Sequence, residues 1–224
     1  MALGLIYGTT ETATSTEILP LVSYNSKAGR LRFTQRVEVG GRWEKQEEDV
    51  TFKQPFMVAD LERIQIGWLF FKAGLAPVKA MVQHGNPLPP MPVGDFGVDE
   101  KGAPQKPKHG FSLRVLDSNR VLREFSSNAQ AVLGAIDRLH TDYVTAPESK
   151  QGLLPVIQFV GAQEVRGKHG SNFTPIFSIV KWVPRPAEMG GTATAGAGTV
   201  AAPVAPVPAA LPPATPQAGQ EMAF

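Results

Sequence analysis

Arg30-Leu31-Arg32-Phe33-Thr34-Gln35-Arg36-Val37-Glu38-Val39, followed by Gly40-Gly41, is the stretch that sets the fold. Leu31, Phe33, Val37 and Val39 alternate with Arg30, Arg32, Thr34, Arg36 and Glu38. A period of two is the pattern of a strand with one face buried and one face in water. Gly40-Gly41 can take the positive φ of a tight hairpin turn. Arg42 to Phe52 then returns as a second, more polar and more exposed arm.

Working outward, the chain becomes strand-like from Leu19. Ile64, Ile66, Trp68 and Phe70 alternate in a further strand, and Ala80 to Val82 is a short one. Gly85 to Lys108 holds six Pro and four Gly, which predicts a long surface loop. Phe111–Val115 and Val121–Phe125 form a strand pair around Asp117-Ser118-Asn119. Ser126 or Ser127 is positioned to cap a helix. Val132, Leu133, Ile136, Leu139 and Tyr143 fall on one face of that helix, and Pro147 ends it. Leu153–Val160 and Phe173–Val183 supply the last strands, joined by a basic, Gly-containing loop over Arg166–Asn172. Six to eight strands and one helix predict a mainly β domain, a small antiparallel barrel rather than a parallel α/β fold.

From Ala187 onward the composition changes. Gly190 to Gly219 is mostly Ala, Gly, Pro, Thr and Val, and the chain finishes Glu221-Met222-Ala223-Phe224. Such a segment has too little apolar surface to offset its ordering entropy, which predicts a disordered tether. The expected division is a folded domain over 1–188 and a tail over 189–224.

All 22 Lys and Arg lie at or before Arg185, and 19 of the 20 Asp and Glu lie at or before Glu188, so the body carries about +3. A polyanion partner therefore needs a local basic patch. There is no Cys, hence no disulfide framework and no thiolate metal site. Residues 1–25 lack the pattern of a signal peptide, and no apolar run approaches the roughly 20 residues of a membrane span.

The Arg30, Arg32, Arg36 stripe is the strongest chemical lead. Alternation puts the three guanidiniums on one face, where they can bond phosphates along an extended strand or stack on bases. A plainer account is a solvated face paired with Glu44 or Glu48. Aromatic side chains sit beside basic ones at Trp43, Phe52, Phe111 and Trp182. Trp43, flanked by Arg42 and Lys45, is assigned the base-stacking role, and the other rings are assigned to the core. Arg166 and Lys168 in the late loop can close over a phosphate backbone. His84, His109, His140 and His169 are scattered without metal-ligand spacing, and His140 is read as a surface residue. No nucleophile elbow, Rossmann fingerprint or Walker motif is present. No catalytic residue, metal site or cofactor is expected.

This layout of body, tether and tip resembles the single-stranded DNA-binding proteins of bacteria and their phages. The resemblance is carried by Glu221, Phe224 and the Pro/Ala-rich linker. It implies an oligonucleotide-binding (OB)-like barrel that coats single-stranded DNA during replication or recombination in the bacterial cytoplasm. It also implies a tip, Glu221 and Phe224, that recruits replication or recombination proteins. The tip here has one acidic side chain where that family has a cluster. Self-association into a homo-oligomer is compatible with it. Two rival expectations are a β-rich virion structural or assembly protein with a passive linker, and a metal-dependent nuclease accessory using Glu47-Glu48-Asp49.

Overall fold

The structure, a computed structural model, describes residues 19–40, 42–72, 77–167 and 170–190. The expected tether beyond Gly190, with Glu221 and Phe224, lies outside the described residues. Among the described residues ten strands, more than the six to eight expected, and one α-helix follow in chain order: β1 Leu21–Asn25, β2 Arg30–Val39, β3 Arg42–Asp49, β4 Phe56–Ala59, β5 Gln65–Phe70, β6 Val78–Gln83, β7 Lys108–Asp117, β8 Leu122–Ser127, α1 Gln130–Thr145, β9 Leu154–Gly167 and β10 Gly170–Val183. The fold is mainly β with one α-helix, as the patterning predicts.

The strands join in one sheet ordered β10-β9-β4-β7-β8-β1-β2-β3, with β5 beside β7 and β6 beside β5. The sheet is mixed, which corrects the expectation of a purely antiparallel one. β1 runs parallel to β8, with Leu21 opposite Glu124 and Val22 opposite Phe125. Two antiparallel hairpin systems meet edge to edge at this seam. Period-two alternation encodes which face a residue takes, not the direction of its neighbour.

One face of the sheet holds the core. Val22, Leu31, Phe33, Met57, Leu113, Val115, Ile157 and Phe159 are buried there. Four rings form its centre: Phe111 meets Phe125 edge-on at 5.3 Å, and Phe177 lies 6.0 Å from Phe125 and 5.7 Å from Phe159. Such pairs add directional attraction to the burial of large apolar area. α1 packs Val132, Ala135, Ile136, Leu139 and Tyr143 onto this core. Tyr143 stacks on Trp182 of β10 at 5.9 Å.

The Ser127 hydroxyl accepts the Ala129 N–H at 3.1 Å, whereas the helix begins at Gln130 and has no side-chain cap. Ser127 therefore turns the chain into the helix instead of capping it. Pro147 forces Ala146 out of helical geometry, to φ −72° and ψ 137°, and the helix stops. The long loop after Gly85 is pinned by Trp68, whose indole N–H donates to the Pro89 carbonyl at 3.0 Å. Among the described residues no helix is long and apolar enough to cross a membrane.

The chain beyond β10 is bound back to the body. Arg185 donates to both carboxylate oxygens of buried Asp60, at 2.5 and 2.9 Å, and to Glu62 at 2.6 Å. Arg120 forks onto Glu188 at 2.7 and 2.8 Å. Met189, one residue past the domain boundary expected from composition, is buried against Leu116 and Leu154.

A buried ion pair closes the β7–β8 turn. Arg123 Nε donates to Asp117 Oδ2 at 2.7 Å, and both residues are almost fully buried. Removing one partner of such a pair strands the other charge, at a cost of about 3–5 kcal/mol. Asp117→Asn should lower unfolding stability by about that amount in urea titrations. A loss of about 0.5 kcal/mol or less would mean Arg123 finds another counterion.

His140 is half-buried on α1, and its ring lies 4.7 Å from that of His84. The two are 56 positions apart, so no sequence spacing reveals the pair, and His140 is not the plain surface residue expected. Burial, then the neighbouring His84, pushes the His140 pKa below its ordinary 6.5, against a small upward pull from Asp137. The unfolded chain thus binds a proton more readily than the folded one. The contribution of neutral His140 is present above about pH 6.5 and is lost as pH falls below it. The urea midpoint should drop more between pH 7 and pH 5 in the wild type than in His140→Phe. Parallel slopes would place the acid sensitivity elsewhere.

Candidate nucleic-acid interface

Register across the β2–β3 hairpin sorts the charged side chains. Arg32 faces Asp49, Thr34 faces Glu47 and Arg36 faces Lys45. Arg30, Arg32 and Arg36 therefore share the face opposite Leu31 and Phe33, as alternation predicts. Glu44 and Glu48 oppose Val37 and Phe33, on the other face. The acidic partners of the stripe are instead Glu47, 3.1 Å from Arg32, and Asp49, 3.8 Å from Arg30. Sequence alone missed them because the choice depends on a register shift of one residue.

These pairs are solvent-exposed and ionised. A hydrogen bond from Lys45, reinforced by Arg32, holds the Glu47 carboxyl below the usual carboxylate range. Bonds from the Thr51 hydroxyl and backbone do the same for Asp49, with a smaller contribution from Arg30. Exposed ion pairs contribute little net stability, so a competing anion can displace them at small cost.

Arg36 is different. It is exposed, and among the described residues no carboxylate lies within ion-pair distance of it. Its cross-strand neighbour is Lys45, another cation. Lys45 is in turn ion-paired with Glu47, which offsets the repulsion between the two cations and leaves Arg36 as the member of the stripe without a carboxylate partner among the described residues. Arg42 opposes Val39 on the other face and does not join the stripe. Register sets Trp43 opposite Glu38, but its side chain lies outside the described residues.

Among the described residues Phe52, in a single 3-10 turn at Thr51–Lys53, gives this region an exposed aromatic ring. It is 82% exposed, and the Arg30 guanidinium lies 4.6 Å over its ring centre. The expectation that Phe52 belongs to the core is thus corrected. The signal was its polar surroundings, Thr51 before it and Lys53-Gln54-Pro55 after it. Phe111 is core, as expected, and Trp182 is partly buried against it.

The expected basic loop over Arg166–Asn172 is mostly strand. β9 runs to Gly167 and β10 starts at Gly170, with Arg166 opposite Ser171. In the added stretch of β9 the apolar Ala162 and Val165 fall on opposite faces, so no period of two marks it. Arg166 is 85% exposed and lies 3.4 Å from Glu164. Lys168 lies outside the described residues.

Two hydrogen bonds tie the β1–β2 hairpin to the β9–β10 hairpin. The Phe173 N–H donates to the Ser26 carbonyl at 2.7 Å, and the Tyr24 hydroxyl donates to the Phe173 carbonyl at 3.2 Å. Burial pushes the Tyr24 pKa up to about 12, so the phenol keeps its proton through the physiological range. Phe173 also lies on Gly29, where an added Cβ would sit 3.1 Å from the ring. Gly29 immediately precedes Arg30. The β9–β10 arm carrying Arg166 thus runs past the Arg30 end of the stripe.

The chain matches no known protein-family model, no curated protein and no solved structure.

Gly29 and Gly40 both have φ near +60°, but only Gly29 has a neighbour within contact distance. An alanine at either is strained by about 1 kcal/mol. Gly29→Ala should also push Phe173 away and lower the hydrogen-exchange protection of its amide. Gly40→Ala should leave that amide protected. Equal protection in the two variants would show that Gly29 does not couple the hairpins.

Proposed function

We propose that this chain binds and protects single-stranded DNA, as a non-enzymatic protein of phage-type replication or recombination. The observation that carries it is the Arg30 guanidinium over the exposed Phe52 ring, at one end of a stripe whose other end, Arg36, stands about 20 Å along β2. An exposed ring offers a base a sequence-tolerant stacking platform, and the guanidinium adds a phosphate or cation–π contact. Arg32 and Arg30 supply further phosphate contacts by exchanging Glu47 and Asp49 for backbone anions. Arg166 on the neighbouring hairpin extends the path. A curled, partly open sheet with a helix packed on it supports an OB-like barrel, whose strands and hairpins grip oligonucleotides. Glu221 and Phe224 would recruit replication or recombination proteins.

A second reading is a self-assembling virion structural protein. It is favoured by Phe56, Val160 and Ile176, exposed apolar residues on adjacent strands β4, β9 and β10. Sedimentation of the free protein over a range of concentrations separates the two, since only the second requires assembly without oligonucleotide.

Anisotropy titration of labelled oligo-dT at several salt concentrations tests the first. Each single-strand phosphate contact contributes about 0.7 to the log–log salt slope. Replacing Arg30, Arg32 and Arg36 with Ala should flatten that slope by about 2 units. Phe52→Ala should cost about 1–3 kcal/mol of binding free energy. An unchanged slope and affinity would remove this face from the proposal, and no salt-dependent binding by the wild type would end it.

A further inference from the structure

Between α1 and the β5–β7 part of the sheet lies a cavity of about 340 Å³. That is within the size range of small-ligand sites. Ile64, Ile66, Phe111, Leu133 and Ile136 give it an apolar wall. His84, His140 and Asp137 are its polar members. The two imidazoles are tilted by 59° to each other. The His140 ring packs on His84 and Tyr143 rather than on a hydrogen-bonding group among the described residues. Gly134, in the middle of α1, also borders the cavity, and a side chain there would meet nothing within 4 Å. A mid-helix glycine is unfavourable relative to alanine. At a position with room for a side chain, its absence leaves the cavity open.

The lining narrows the occupant. A neutral imidazole offers one donor and one acceptor, and a carboxylate offers acceptors only. An anion would face the Asp137 carboxylate, and like charges oppose its entry. A bare metal ion does not fit, since His84, His140 and Asp137 are not placed to hold one together, and no group of three such side chains is so placed among the described residues. What remains is a neutral molecule, flat enough to lie along the apolar wall, with donors and acceptors on its edge. We propose that the cavity between α1, His84 and the β5–β7 strands binds a neutral planar heterocycle of nucleobase size, its face on the apolar wall and its edge bonded by His84, His140 and Asp137. The site lies on other elements than the Arg stripe of β2, and the inference stands whether or not that stripe binds DNA.

The test uses the full chain with thymidine and adenosine as probes, following the imidazole C–H resonances of His84 and His140 by NMR. Saturable shifts should appear with an affinity of about millimolar or tighter, in keeping with so small a ligand. Gly134→Leu fills the open space and should weaken binding about tenfold or more. His140→Phe keeps the ring but loses its nitrogens, and should weaken binding roughly fivefold. The Arg30, Arg32, Arg36 triple-alanine protein should bind the nucleosides like wild type. Absence of shifts at about 10 mM of either nucleoside, far above the expected affinity, would overturn the proposal. So would shifts that Gly134→Leu leaves unchanged. Loss of oligo-dT binding by the triple variant with nucleoside binding intact would support two separate sites.

Discussion

The buried pair between Arg123 and Asp117 organises the sheet. Asp117 Oδ2 takes the Arg123 Nε–H, while Oδ1 accepts the backbone N–H groups of Asn119 and Val121. One carboxylate thus fixes both the turn and the side chain two residues beyond it. The Arg123 guanidinium lies 4.4 Å over the Phe33 ring of β2. Phe33 is thereby held inward, and a strand whose Phe33 points in must point Arg32 out. The hairpin turn, the core and the Arg stripe share this determinant. Arg123 Nη1 has no protein partner in the described structure. Desolvation is only partly offset, so the pair specifies register more than it adds net stability.

The outer face of β2–β3 follows the opposite logic. Arg32–Glu47 and Arg30–Asp49 lie in water, where Coulomb attraction is screened and side-chain entropy opposes fixation. Such contacts are exchangeable. A polyanion has only to outcompete pairs that hold little free energy. The stacking of Arg30 on Phe52 does not depend on Asp49, so it holds one guanidinium and one ring together whichever anion Arg30 faces. The inner charges are locked by burial, and the outer ones are left free to change partners.

The sequence discloses periodicity well and pairing poorly. β2, β5, the β7–β8 hairpin and α1 were legible because apolar residues recur at strand or helix spacing. β4 was not, because Phe56–Ala59 is too short to show a period. The far arm of β9 was not, because its apolar Ala162 and Val165 fall on opposite faces. In the candidate site, the shared face of Arg30, Arg32 and Arg36 could be read directly, since alternation alone decides it. Their carboxylate partners, the approach of Phe173 to Gly29 and the His84–His140 pair could not. Each depends on register or on contacts between residues distant in sequence.

The attachments beyond β10 give the molecule a mechanical polarity. β10 ends the sheet path, and a strand at a sheet edge pulled from its end would peel open one hydrogen bond at a time. Between β10 and Gly190, however, stand Arg185 on Asp60 and Glu62, Glu188 on Arg120, and the buried Met189. Tension applied beyond Gly190 reaches these anchors before the β9–β10 ladder. It is passed to the β4–β5 corner through Asp60 and to the β7–β8 turn through Arg120. Anything that tugs on the C-terminal segment therefore loads the middle of the sheet, and the edge strand is spared.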